Sequence, residues 1–171
     1  TFNSAVKAVL DANASLVKLK FIACSNATGT EIADCGAYMV ENGDCLEIHT
    51  AALEFEFNQN CTKMFFHLEK ITDINFNNVI NTSNVTSMGD MFSGCSGLTT
   101  LDVAGFDTSN VTDMVGMFYC CSGLTTLDVT GFDTSNVTSM WSMFSGCWGL
   151  TTLDVTGFDT SNVTDMGGMF G

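Results

Sequence analysis

Eight cysteines, two histidines and 19 carboxylates are the side chains of this 171-residue chain that could do chemistry. Their spacing argues against catalysis. Cys95, Cys121 and Cys147 recur at a fixed interval on an apolar stripe. Free cysteine behaves as a small core hydrophobe, so a ladder of reduced, buried thiols is expected. No C-x-x-C or Cys/His cluster accompanies them, which removes the usual metal and redox readings. Cys120 stands where the neighbouring units have Gly94 and Gly146, and a bridge to Cys121 would be strained, so it is expected as a free thiol. Cys24, Cys35, Cys45 and Cys61 allow three pairings, and one or two disulfides would suit an extracellular setting. His49 and His67 lie outside any nucleophile or metal motif, and His67 takes the Gly94-type place. The expectation is no enzyme, no catalytic residue, no metal and no cofactor.

The aspartates form columns. Asp102, Asp128 and Asp154 are expected on an outward strand face, and Asp107, Asp133 and Asp159 at a turn. Hard oxygen ligands suit Ca²⁺. Against that stand solubility for the strand column and bonding to following backbone N–H groups for the turn column. Neither EF-hand nor glycine-rich nonapeptide spacing is present. Asn110, Asn136 and Asn162 form a third column, expected to bridge one turn to the next, and they also create Asn-x-Thr sequons.

The elements that hold these residues are copies of one phrase. Leu98-Thr99-Thr100-Leu101-Asp102-Val103 recurs from Leu124 and Leu150, and Phe106-Asp107-Thr108-Ser109-Asn110-Val111-Thr112 from Phe132 and Phe158. Met91-Phe92 returns as Met117-Phe118, Met143-Phe144 and Met169-Phe170. A degenerate unit upstream keeps the spacing through Met64-Phe65, Ile71, Ile74 and Phe76, with one inserted residue between Asn77 and Ile80. Alternation at Leu101 and Val103 predicts a short strand with Thr100 and Asp102 outward. The spacing of Val111, Met114, Met117, Phe118 and Cys121 predicts a short α or 3₁₀ segment. One such unit cannot bury its own apolar side, whereas stacked units build a continuous core. The expected fold is an α/β repeat solenoid of leucine-rich-repeat-like coils over residues 58–171, ending in mid-unit, behind an N-terminal α/β cap over residues 1–57.

In that cap, Phe2, Ala5, Val6, Val9 and Leu10 share a helical face, with Asn3 or Ser4 as the expected N-cap. Leu16 to Ile22 and Leu53 to Phe57 alternate as strands. Asn26 to Asp44 reads as loops around a short helix or strand. Such a cap would cover the open edge of the first coil.

Comparing the units with one another isolates what varies. Change concentrates at Gly89/Val115/Trp141/Gly167, Asp90/Gly116/Ser142/Gly168, Ser93/Tyr119/Ser145 and Ser96/Ser122/Trp148. Tyr119, Trp141, Trp148 and Val115 are therefore binding candidates, with Trp141 and Trp148 sharing one face if the segment is helical. Packing of both indoles onto neighbouring coils or loops is the other reading. A second candidate surface is the strand face of Thr100, Thr126, Thr152 and the Asp102, Asp128, Asp154 column.

A formal charge of −14, with five lysines and no arginine, argues against nucleic acid and against anionic membrane surfaces. All five lysines (Lys7, Lys18, Lys20, Lys63 and Lys70) precede Ile71, and ten aspartates follow it. Apolar residues make up 46%, enough for a core, but no run reaches the length of a membrane span.

The phrase Met-Phe-x-x-Cys-x-x-Leu-Thr-x-Leu-Asp-Val-x-x-Phe-Asp-Thr-Ser-Asn-Val-Thr-x-Met, here from Met117 to Met140, resembles the repeat of BspA-like leucine-rich-repeat surface proteins. That group is also described as the DUF285 or mycoplasma-lipoprotein-associated repeat. The resemblance is specific over residues 81–171, weaker over 58–80 and absent before. It implies a secreted protein at a bacterial cell surface, acting as an adhesin for a host or microbial protein or glycan. It carries over no catalytic residue. A purely structural spacer is the rival reading, calcium-dependent stabilisation a third. An uncapped last coil could also support end-to-end dimers.

Overall fold

The computed structural model describes residues 2–23, 30–31, 37–50 and 52–171. Cys24, Cys35 and the segment from Asn26 to Gly29 lie outside the described residues. Helix α1 (Phe2–Ala12) buries Val6 and Leu10, with Phe2, Ala5 and Val9 against the core. Neither Asn3 nor Ser4 is its N-cap, because the helix already includes Phe2. The Asn3 amide instead donates to the Phe66 carbonyl at 3.0 Å, tying the helix to the first repeat.

Strands β1 (Lys18–Ala23), β2 (Thr30–Glu31), β3 (Ala37–Asn42), β4 (Cys45–Thr50) and β6 (Asp73–Asn75) form one sheet in the order β2-β3-β4-β1-β6. β1 is parallel to both β4 and β6, while β3 runs antiparallel to β2 and β4. In β1, Leu19 and Phe21 point into the core between the partly exposed Lys18 and Lys20, as alternation predicts. The β3–β4 connection is a hairpin turning at Gly43, whose positive φ suits a primed two-residue turn. The Asn42-Gly43-Asp44 triplet could have announced it. β5 (Phe55–Glu56) pairs in parallel with β7 (Ile80–Asn81) of the first repeat. Leu53, expected to begin that alternation, is 94% exposed.

From Asn60 onward the chain runs in stacked coils joined by parallel bridges along Asn60, Ser87, Asp113, Ser139 and Asp165. The expected α or 3₁₀ segment is not a helix. Alternate N–H groups (Met88, Asp90, Phe92 and Gly94) donate to Asp113, Val115, Met117 and Tyr119 of the next coil. The N–H groups between them, on Met91, Ser93 and Cys95, turn back to Met88, Asp90 and Phe92. A helix would spend every donor within itself. This ribbon of turns spends half of them on stacking.

The ribbon needs a left-handed residue every four positions. Lys63, Asp90, Gly116, Ser142 and Gly168 supply one column, and His67, Gly94, Cys120 and Gly146 the other. Variation between glycine, Asp and Ser at the first column thus follows a backbone requirement. His67 does occupy the Gly94-type place, and Cys120 is the side chain its coil carries there.

The expected strand at Leu101–Val103 also does not form. Leu101 and Val103 are buried with Asp102 exposed between them, so the alternation is real. The one backbone bond between coils here is Thr99 N–H to Thr72 O, followed by Thr125 N–H to Thr99 O. Inside the array, the rings of Phe65, Phe92, Phe118, Phe144 and Phe170 stack within 10° of parallel at 5.2 to 5.9 Å. Phe2 meets Phe65 edge-on at 5.7 Å and joins the cap to this column.

Candidate functional site

Two surfaces carry the candidate residues. The first is a groove of about 860 Å³ where the coils lack strand pairing. Thr100, Thr126 and Thr152 line it with Asp102, Asp128 and Asp154, so the structure gathers the expected six residues from three coils. Asp73 and Asn75 of the first repeat join them, and sequence analysis passed these over. The signal was available: they flank Ile74 as Thr100 and Asp102 flank Leu101.

Asp102, Asp128 and Asp154 are turn-formers rather than strand residues, whereas Asp73 lies in β6. Asp102 Oδ1 accepts the Ala104 N–H at 3.0 Å. Asp128 accepts the Thr130 N–H and hydroxyl at 3.0 and 2.6 Å, and Asp154 those of Thr156 at 3.0 and 2.7 Å. Asn75 does the same for the Asn77 N–H at 2.8 Å. The turn column repeats the pattern, with Asp107, Asp133 and Asp159 accepting the N–H groups of Ser109, Ser135 and Ser161. Among the described residues, no group of three or more His, Cys, Asp or Glu is arranged to hold a metal ion.

Those bonds favour the ionised carboxylates. The Thr130 and Thr156 hydroxyls hold Asp128 and Asp154 below the usual range, and the Ser109, Ser135 and Ser161 hydroxyls do so for Asp107, Asp133 and Asp159. A folded-state pKa below the unfolded value contributes stability above the unfolded value, lost as pH falls through the folded one. The repulsion between Asp107 and Asp133, or Asp128 and Asp154, opposes this without reversing the direction. The urea midpoint is therefore expected to hold near neutrality and to fall as the pH drops below the ordinary aspartate range of about 4. Asp133→Asn, which keeps an acceptor for Ser135, should flatten part of that fall.

The second surface is aromatic, and the structure divides it. Trp141, Tyr119 and Trp148 are 50%, 41% and 84% exposed, and Val115 is half-buried. The Trp141 indole lies against Gly167 of the next coil, close enough that a Cβ there would meet its Cδ1 at 3.0 Å. Trp148 lines a separate hollow of about 210 Å³ with Phe144, Leu150, Leu153 and Phe170. A common helical face for the two tryptophans requires a helix, which this segment does not form, and the two indoles meet different neighbours.

The thiol ladder is structural. Cys95, Cys121 and Cys147 are buried and donate to the carbonyls of Phe65, Phe92 and Phe118 at 2.9, 3.1 and 3.0 Å. Burial pushes Cys95 up to about 12 and Cys147 to about 11, and raises Cys121 as well. Cys45, Cys61 and Cys120 are also free thiols. The expected disulfides therefore do not include Cys45 or Cys61, and Cys24 and Cys35 lie outside the described residues. Native-state alkylation mapped by mass spectrometry should label the partly exposed Cys120 and leave Cys95, Cys121 and Cys147 protected until urea unfolds the chain.

The Asn110, Asn136 and Asn162 amides bridge successive turns, donating to Ser83, Ser109 and Ser135 carbonyls at 2.7 to 2.8 Å. The histidines pair with carboxylates, His49 with Glu47 at 2.8 Å and His67 with Glu69 at 3.1 Å.

The regular part of this protein is thus a repeat array whose asparagine ladder bridges coils and whose aspartate ladders hold the turns within each coil. Residues 59–171 match the family described as "Mycoplasma protein of unknown function, DUF285", and the chain belongs to that family. No curated protein and no solved structure matches the chain.

Proposed function

We propose that this chain is a non-catalytic binding module, a BspA-like leucine-rich-repeat solenoid displayed as an adhesin at a bacterial cell surface. The groove carries the reading, since it collects the same two outward side chains from three successive coils. Repeat arrays use such extended concave surfaces for recognition. The exposed indoles at Trp141 and Trp148 offer a second contact surface. The continuous phenylalanine stack also supports the alternative, a stiff spacer that binds nothing.

The test is capture from host serum and extracellular-matrix extracts by three folded proteins. These are wild type, Trp141→Ser with Trp148→Ser, and a groove-filled variant carrying Thr100→Tyr, Thr126→Tyr and Thr152→Tyr. A partner held by wild type and by the tryptophan variant, but lost when the groove is filled, is the expected outcome. Identical capture by all three proteins would count against both surfaces. No partner for any of them would favour the spacer.

A further inference from the structure

We propose that the groove bounded by Asp73, Asp102, Asp128 and Asp154 docks an extended, lysine- or arginine-rich polypeptide segment. The inference rests on the binding-module reading and names its class of partner.

Three observations carry it. The first is open main chain. Among the described residues, no protein group accepts from the N–H groups of Thr100 to Val103, Thr126 to Val129 or Thr152 to Val155, although the ribbon elsewhere in each coil spends half of its donors on stacking. Unpaired N–H groups suit an extended peptide, whose own main chain supplies acceptors, although the Val103, Val129 and Val155 carbonyls are already taken by the N–H groups of Phe106, Phe132 and Phe158. The second is a strand edge. β6 pairs with β1 on one side, and on the other only Thr72 O reaches the next coil, through Thr99. Asp73, Ile74 and Asn75 therefore present an edge to the groove.

The third is charge, which selects among extended peptides. No positive side chain follows Lys70, so Asp102, Asp128 and Asp154 find no cation in the coils that carry them, whereas Asp73 lies beside Lys18 of β1. Apart from the turn column of Asp107, Asp133 and Asp159, which does not line this groove, acids elsewhere are relieved: Asp113 accepts the Ser87 hydroxyl at 3.0 Å, Ser139 stands between Asp113 and Asp165, and Asp90 lies 3.9 Å from Lys63. Asp102, Asp128 and Asp154 instead follow one another without interruption, each with one oxygen engaged in its turn. The apolar edges of Leu101 and Leu127 in the same groove would receive the methylene stem of lysine or arginine. An anionic partner would be repelled.

The experiment measures a labelled peptide of alternating lysine and threonine by fluorescence anisotropy, against its glutamate counterpart, at low and at physiological salt. The variant Asp102→Asn/Asp128→Asn/Asp154→Asn keeps every turn acceptor and should weaken binding about tenfold or more. Asp107→Asn/Asp133→Asn/Asp159→Asn removes the same charge from the other column and should weaken it less than about twofold, as distant exposed charges are screened. Circular dichroism confirms that both variants fold. Equal losses would overturn the proposal, since a diffuse field would then account for binding. Equal binding of the glutamate peptide, or displacement of the lysine peptide by a neutral oligosaccharide, would overturn it too. If filling the groove abolishes an extracellular partner while the lysine peptide never binds, the binding module stands and this partner class falls.

Discussion

Phe118→Ala is expected to destabilise the protein by about 4 kcal/mol, read as a lower urea midpoint at unchanged slope. Phe118 is fully buried and stacks on Phe92 at 5.7 Å and on Phe144 at 5.6 Å, within 4° of parallel on both sides. Truncation removes two ring contacts as well as the buried area. The cavity cannot close readily, because the backbone on either side is fixed by the inter-coil bonds of Phe92 to Met117 and Phe118 to Met143. Phe170 is the internal control. It stacks on Phe144 alone and is 63% exposed, so Phe170→Ala should cost about 1 kcal/mol. Equal costs at the two positions would mean that the rings contribute as separate side chains rather than as a column.

Gly123→Ala, the addition of one methyl group, is expected to cost about 3 kcal/mol. A Cβ at Gly123 would sit 2.5 Å from the Ser96 carbonyl oxygen and 2.7 Å from that of Leu98. Both obstacles are backbone of the preceding coil, so relief requires the coils to separate. Gly97 and Gly149 meet the same obstruction against Glu69 and Leu124 carbonyls, so along this glycine column neighbouring coils approach too closely for a side chain. Gly131→Ala is the matched control. Nothing lies within 4 Å of a Cβ there, so the change should stay within about 0.5 kcal/mol of neutral. The Gly123 cost thus reports contact between coils and not a general intolerance of side chains in the turns.

Much of the groove was legible from alternation. Leu101 and Val103 inward with Thr100 and Asp102 outward requires only a locally extended chain, and the structure shows that arrangement without an assigned strand. Asp73 and Asn75 could have been added from the degenerate repeat. The two tryptophans went the other way: their common face depended on a helix, and the ribbon of turns sends Trp141 across Gly167 and Trp148 into another hollow. Periodicity of apolar residues at three and four cannot tell a helix from turns that expose the same side chains, because both bury Met114, Met117, Phe118 and Cys121.

The sequence by itself determined the repeat, its buried columns of Met, Phe and Cys, and the amides of Asn110, Asn136 and Asn162 that tie one coil to the next. These follow from side-chain polarity and spacing, which each unit carries within itself. Only the tertiary structure decided where backbone donors go. Met88 N–H reaches Asp113 and not an acceptor in its own segment, and Leu101 N–H finds no protein partner. Every residue but proline has the same N–H and C=O, so their pairing is set by how closely neighbouring coils approach, too close for a side chain at Gly97, Gly123 and Gly149 and open at the groove.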